Sequence, residues 1–592
     1  MSAASVTPRP EIVEPVQRVL GWLLSLRDAD GRIVCPEHRI EHTGKSAGVI
    51  VMACELARHA QGEDRDALLD AAVEQAHRLV ANLVREEDSA CHTFRPGRHD
   101  PYNCSNNVID GGACSDALAE LVLTFGDRLD PRERAAFADA AVLHAQTYLR
   151  YAVLDKGVPA QRAWAMTGVA GAWKLAGHEV LSLTTTEGAG ILEGIQHGDG
   201  SYPYHPLEWG APHVGASDVS AFYQSRVTGF LLFSLERLGR DPADPIFRGP
   251  IERGLDFLLA LQGPDGTKCG LVEAKPWYWG ATYEVASNPF DVYALSAGWR
   301  HFGHARLAAG AERAFRAFVR HLGPSGEPCS HMPGPGRTKS YQCATFWAGH
   351  CSWLARSMVD LERILTLADA AEASTGEGLE LSVAAWPDAS LVRLEDGAVT
   401  AWVRGARPGF NVHHGSPHGA GLLRVWSKAR GADVLERCRL GGANEAEWSG
   451  ALGGFAPARG WRSGGKEVRF ALWLARIHWR GGRVQDALLA PARVFARGVL
   501  AFAGPRVGSA FHLAPETRID GPGVTLASRL ARRDGTSLED TRIARTYRLD
   551  GDGLVVVDEV LARGGVRNLT YTVPARATEV ERDGLRITYR LA

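Results

Sequence analysis

The sequence predicts an α+β chain of two domains: an N-terminal (α/α)6 toroid over residues 1–370 and a C-terminal antiparallel β-sandwich over residues 371–592. Three observations predict it. The 592 residues exceed the ~250–300 that one core organises. One helix-and-turn motif recurs through the first half. After about residue 375 the pattern changes to short β-rich segments punctuated by Gly and Asp.

The repeats are "WLLSLRDADGRIVCP" from Trp22, "ILEGIQHGDGSYPYH" from Ile191, "FLLALQGPDGTKCGL" from Phe257 and "FVRHLGPSGEPCSH" from Phe318. Each is the end of an apolar-periodic helix followed by an Asp-Gly or Ser-Gly turn. The turn glycines are Gly31, Gly200, Gly266 and Gly326, the last three 66 and 60 residues apart. Weaker copies near Asp88 and Lys156 fill the remaining gap, which makes about six units.

Amphipathic helices such as "SAGVIVMACELARHA" and "SRVTGFLLFSLERLG" lie between them, several ending in Gly as a C-cap does. Hairpins that cannot bury their faces alone must stack. A closed ring is the expected solution and an open solenoid the alternative. Because the turn follows the first helix of each unit, six long loops are expected to open at one end.

In the second half, "SLVRLEDGAVTAWVRG", "GLLRVWSKA", "EVRFALWLARIHW", "RTYRLDGDGLVVVDEVL" and "GLRITYRLA" are read as strands of an antiparallel sandwich. The joint falls in 366–380.

Composition narrows the function. A net charge of −2 makes no electrostatic case for nucleic acid or a membrane surface. No run of ~18 apolar residues predicts a membrane span. The N-terminal residues lack a basic stretch leading into an apolar one, so a cytoplasmic location is expected. The ten cysteines have no disulfide-like spacing and are read as reduced thiols.

"PAQRAWAMTGVAGAWKLAG", "DGSYPYHP…SAFYQSRVTGFLLFSLERLG" and "RTYRLDGDGLVVVDEV" resemble segments of the polysaccharide lyases of the heparinase II/III and chondroitin AC/alginate lyase type. The resemblance implies cleavage of a uronic-acid-containing poly- or oligosaccharide by β-elimination, with no cofactor. It leaves room for a structural divalent metal in the β domain. The implied partner is an anionic carbohydrate. Uronyl C5-epimerases share the architecture. Where the family usually has Asn-His, this chain has Ala160-Gln161, so Gln161 is taken as the substitute.

Elimination needs a neutralised carboxylate, a base for the C5 proton and an acid for the leaving oxygen. Tyr223 is the expected catalytic tyrosine. Arg226 follows three residues later, on the same helix face, and a nearby cation eases ionisation of a phenol. His205 and His213 of the fourth loop are candidate bases, with Tyr202, Tyr204 and Trp209 as stacking walls. Asn106 and Asn107 suit a carboxylate, although Asn also caps helices.

Lys275, Trp277, Trp279 and Tyr283 of the fifth loop, with Arg337 and His350 of the sixth, complete the expected sugar-binding wall. His418, in "NVHHGSPHGAGLLRVW", is placed where the family reaches back from the sandwich, but the accompanying Asp is absent. The three histidines of that segment make only a weak zinc motif. Two other readings stay open. A glycoside hydrolase would draw a carboxylate pair from Asp110, Glu208 and Glu284. A non-catalytic carbohydrate-binding protein needs neither.

Overall fold

The computed structural model describes residues 6–36, 41, 43–86, 89–92, 105–155, 158–203, 219–269, 283–328, 344–371, 381–406, 420–435, 445–453, 472, 475–476, 479, 484–494, 505–532 and 535–592, with backbone alone for 43, 84–86, 89–92, 105–111, 283–284, 346, 370–371, 486, 490 and 493–494. The first half comprises α1 (Pro10–Ser25), α2 (Thr43–Ala57), α3 (Gly62–Ala81), α4 (Ser105–Phe125), α5 (Pro131–His144), α6 (Arg150–Asp155), α7 (Pro159–Ala176), α8 (Glu179–Ile195), α9 (Ala221–Leu238), α10 (Pro245–Leu261), α11 (Asn288–Phe302), α12 (Ala305–Arg320), α13 (Ala344–Arg356) and α14 (Met358–Ala371). A π-turn at Ala145–Leu149 joins α5 to α6. None of the described helices is long and apolar enough to cross a membrane.

Six of these helices pack in succession: α2 on α4, α4 on α7, α7 on α9, α9 on α11, α11 on α13, and α13 back on α2. Their sequences suit an inner position. α9 is buried on nearly every side, from Ala221 through Leu235. The helices outside the cycle are one-faced. α12 buries Leu307, Ala311, Ala314, Phe315 and Phe318 and leaves its other side polar. Glycine lets inner helices approach closely. A Cβ on Gly48 would sit 2.7 Å from the Gly349 carbonyl, and one on Gly112 would sit 2.3 Å from that of Trp164.

The repeated turn has a common construction. The glycine N–H closes a four-residue turn onto Asp28, His197, Gly263 or Gly323. Gly31, Gly200, Gly266 and Gly326 all have φ between 75° and 91°, where a side chain is strained. Three of them also lie against a helix of the next hairpin. A Cβ would approach the carbonyl of Arg253 to 2.1 Å at Gly200, of Arg313 to 2.0 Å at Gly266, and of Arg18 to 2.3 Å at Gly326. Arg18 belongs to α1, so the last turn is seated on the first helix. Arg9 ties the same ends, with its backbone N–H 2.7 Å from Glu362 on α14.

The third unit departs from the expectation of six long loops. α5 continues through the π-turn into α6, and only residues 156–158 separate α6 from α7. The second unit carries a hairpin instead of a glycine turn, β1 (Leu83–Glu86) with β2 (Ser89–His92). At the base of the fifth loop β3 (Lys268–Cys269) pairs with β4 (Tyr283–Glu284).

The second half contains β5 (Ser382–Trp386), β6 (Leu391–Glu395), β7 (Val399–Arg404), β8 (Gly421–Ser427), β9 (Ala432–Asp433), β10 (Glu447–Ala451), β11 (Arg506–Gly508), β12 (Glu516–Asp520), β13 (Gly523–Ser528), β14 (Ala531–Arg532), β15 (Thr541–Leu549), β16 (Leu554–Arg563), β17 (Arg567–Thr572), β18 (Thr578–Asp583) and β19 (Arg586–Leu591). They form antiparallel sheets ordered β5-β6-β7-β8-β9, β14-β11-β10-β17 and β12-β13-β15-β16-β19-β18. Alternation drives the largest: Ile543, Tyr547, Leu549, Leu554, Val556 and Val560 all point into one apolar cluster shared by the three sheets.

At inward positions of the same face, Asp558 accepts from Arg545 Nε and Trp448 Nε1, each at 2.9 Å, which ties β10 to β15 and β16. The segment "EVRFALWLARIHW" is a correction. Leu472, Ala475, Arg476 and Trp479 are helical, and α15 (Val484–Val494) follows. Ala, Leu and Arg are strong helix formers, and a short apolar run does not separate the two periods.

The seating of the turns predicts a stability contrast. Gly266→Ala combines positive φ with a backbone collision and should cost about 3 kcal/mol or more. Gly303→Ala, at φ 73° but with nothing within 4 Å, should cost about 1 kcal/mol. Urea melts of the two variants measure the difference, and equal losses would show that the close approach contributes nothing.

Candidate active site

The inner helices α2, α4, α9, α11 and α13 all begin where long connections enter, and α7 begins at the same end of the cycle. Around these N-terminal turns the polar side chains converge. Tyr223 lies on the first turn of α9 and Arg226 on the second. The Arg226 guanidinium is almost fully buried, 3.8 Å from the Phe222 ring centre, 4.9 Å from Phe290, and 5.2 Å from both Trp164 and Tyr223. Three aromatic faces thus hold a desolvated cation against a partly exposed phenol. The spacing of three that placed Tyr223 and Arg226 on one face is realised in contact.

His350, on α13, is buried, with its ring 4.6 Å from that of Phe290 and 6.1 Å from Trp164. Nδ1 lies 3.4 Å from the Ala286 carbonyl. Burial, then the charges of Arg226 and Lys45, push its pKa well below the usual histidine value, so the imidazole is neutral. Gln161 is partly buried near the start of α7, three residues before Trp164 and so on the same face. Arg162 beside it is buried toward the outer helices. Burial lowers its pKa to about 10, against the opposing charges of Asp155 and Glu187 on α6 and α8.

Asn106 and Asn107 lie in the first turn of α4 and Tyr283 in β4, their side chains outside the described residues. Tyr204, His205, Trp209, His213, Lys275, Trp277, Trp279, Arg337 and His418 lie outside the described residues altogether. Tyr202 is a correction to the stacking wall. It is 4% exposed, belongs to the helical core, and burial pushes its hydroxyl pKa up.

Two groups at this end were not anticipated. Lys268, at the base of the fifth loop, is 1% exposed. Its ammonium donates to Asp291 Oδ1 of α11 at 2.7 Å and to Ser225 Oγ of α9 at 3.3 Å, one residue from Arg226. Lys45, on the first turn of α2, is 2% exposed. The sequence around each, HTGKSAG for Lys45 and DGTKCG for Lys268, does not reveal what the lysine meets.

The opposite end of the cycle is closed by ion pairs. Arg356 reaches Asp116 at 2.7 Å, and Arg237 bonds Glu120. Glu236 accepts from Tyr293 at 3.1 Å, Arg300 at 2.6 Å and His301 at 2.8 Å. Among the described residues no group of three His, Cys, Asp or Glu is arranged to hold a metal ion.

No family model matches the sequence, and no curated protein matches it. The chain is similar to solved structures. The chondroitin AC lyase of Streptomyces coelicolor A3, in complex with chondroitin sulphate, is 13% identical, with a TM-score of 0.49 over 94% of this chain and 67% of its own. A polysaccharide lyase is 14% identical, with a TM-score of 0.42 over 62% of this chain and 99% of its own. The cellobiose 2-epimerase of Spirochaeta thermophila DSM 6192 is 13% identical, with a TM-score of 0.43 over 61% of this chain and 99% of its own.

The Lys268–Asp291 pair should behave as a buried pair. Lys268→Met or Asp291→Asn alone should cost about 3–5 kcal/mol, and the double variant less than the sum. A double-mutant cycle in denaturant measures the coupling, and strict additivity would disprove it. At the other end, burial acts to raise the Glu236 pKa, but the His301 bond and the Arg300 charge outweigh it and leave the pKa lowered. A lowered folded pKa contributes stability above the unfolded value of about 4.3, lost as pH falls through the folded value. The stability gap between the native chain and Glu236→Gln should therefore narrow below about pH 4.3, measured by melts across pH.

Proposed function

We propose that the helical half is an (α/α)6 toroid, that the second half is an antiparallel β-sandwich with the boundary at 370/371, and that the protein is a carbohydrate-active enzyme. In this reading it cleaves a uronic-acid-containing poly- or oligosaccharide by β-elimination at the end of the toroid where the inner helices begin. The observation that carries it is the Arg226 guanidinium held in an aromatic enclosure 5.2 Å from the ring of Tyr223. A desolvated cation at this distance favours the phenolate.

The phenolate takes the proton from C5, and the electron pair left there forms the C4–C5 double bond as the C4–O bond breaks. The phenol so formed returns its proton to the departing oxygen. Charge that develops on the uronate carboxylate during proton removal is offset by the cationic end of the site, to which Arg226 and the inner-helix N-termini contribute. Gln161 supplies a carboxamide where Asn-His is absent. No metal or cofactor is needed for these steps.

The test is to incubate the protein with a panel of uronate polymers and oligosaccharides and follow absorbance near ~232 nm, where an unsaturated uronyl product absorbs. A rise that Tyr223→Phe lowers by about 10²-fold or more supports the proposal. Exchange of the C5 proton in deuterated solvent without a rise identifies an epimerase. New reducing ends without a rise identify a hydrolase and overturn the elimination.

A further inference from the structure

The four glycine turns align, and one position sets the fifth loop apart. Two residues after the turn glycine stand Ile33, Tyr202, Lys268 and Pro328. Backbone pairing makes this position equivalent in three of the turns. Ile33 pairs with Arg27, Lys268 with Gln262 and Pro328 with Leu322, in each case the residue four before the glycine. Ile33 and Tyr202 belong to the helical core, and Pro328 is buried. The repeat therefore calls for a side chain without charge here. The fifth unit places a lysine there and buries it. An ammonium out of water is stable only where bonds surround it.

Those bonds join two inner helices. Lys268 Nζ donates to Asp291 Oδ1 of α11 at 2.7 Å, to Ser287 Oγ just before α11, and to Ser225 Oγ of α9 at 3.3 Å. All three acceptors are buried. Ser225 lies between Tyr223 and Arg226 in the chain. The Arg226 guanidinium spans the same two helices, 4.9 Å from Phe290 of α11 and 5.2 Å from Tyr223 of α9. A shift of α9 against α11 would change both distances.

The turn that carries Lys268 is itself anchored. Gly266 is seated on the Arg313 carbonyl of α12. From the β-rich half, Arg424 donates to Asp265 Oδ2 and Thr267 Oγ1, each at 2.9 Å. Lys268 follows directly, so its stem starts from a backbone held on two sides.

We propose that Lys268 is a positioning residue for Tyr223, which sets α9 against α11 from the anchored turn. The link to catalysis rests on the elimination proposed above. The positioning rests on the three bonds and on the exception to the repeat.

The test labels the chain with 3-fluorotyrosine and follows the fluorine resonance of Tyr223, assigned by its loss in Tyr223→Phe. Two variants are compared with the native chain. Lys268→Met with Asp291→Asn removes the pair without stranding one buried charge. Ser225→Ala removes only the bond to α9, and still tests the link should the first variant not fold. Gly303→Ala, at the far end of α11, controls for lost stability alone.

In both variants the Tyr223 resonance should move, and its titration midpoint should rise by about one pH unit as the guanidinium is held less closely. The control should match the native chain. On a uronate polymer that the native chain cleaves, kcat should fall about tenfold or more, with KM changed by less than about twofold. An unmoved resonance in the folded variants, or a kcat equal to the native value, overturns the proposal. A resonance that moves while no chain, native included, cleaves any polymer upholds the positioning and removes the elimination.

Discussion

The helical half depends on one contact made repeatedly: a glycine α-carbon seated directly on a carbonyl of the next hairpin. Gly200 on Arg253, Gly266 on Arg313 and Gly326 on Arg18 are the same contact in three settings. Each sets the distance between consecutive units to backbone thickness. The third joins the last unit to the first. With the outer spacing set this way, the inner helices meet through Gly48 and Gly349 or Gly112 and Trp164, close enough to leave only a small interior. A methyl group at any of these turns would push neighbouring hairpins apart and open the cycle.

The aspartates of the same turns face the sheets. Asp199 accepts from Ser201 N at 3.0 Å within its turn and from Ala389 N at 2.9 Å beyond it. Asp265 accepts from Arg424 Nη2 at 2.9 Å. Arg424 is fully buried and also bonds Thr267 Oγ1 at 2.9 Å and Asp433 at 2.7 Å. A guanidinium out of water is stable only with such partners around it. The next residue along is Lys268, whose amine reaches α9 beside Arg226. A continuous polar chain therefore runs from β8 and β9 to the turn that carries Tyr223, and the β-rich half helps to set where that tyrosine stands.

Charge is divided along the cycle. At the ends of α9, α11 and α13 the acids and arginines neutralise one another, as in Arg356–Asp116 and Glu236–Arg300. At the beginnings of α2 and α9, Lys45 and Arg226 add cationic charge to the positive ends of the helix dipoles.

The sequence by itself determined the local features: where helices stop, which face of each is apolar, which glycines turn, and which strands alternate. These depend on residues within about four positions of one another, so the repeat and the Tyr223–Arg226 contact were legible. The third unit was not legible, because a π-turn that lengthens a helix leaves no distinctive residue pattern. Neither was the helical state of Leu472, Ala475, Arg476 and Trp479, where apolar spacing fits both periods. The tertiary structure alone decided that Lys45 lies over Gly349, that Lys268 meets Asp291, and that Tyr202 is core and not wall. Each of those outcomes depends on which units become neighbours around the cycle, and that neighbour relation is set by the packing of glycine on distant backbone, which no local pattern records.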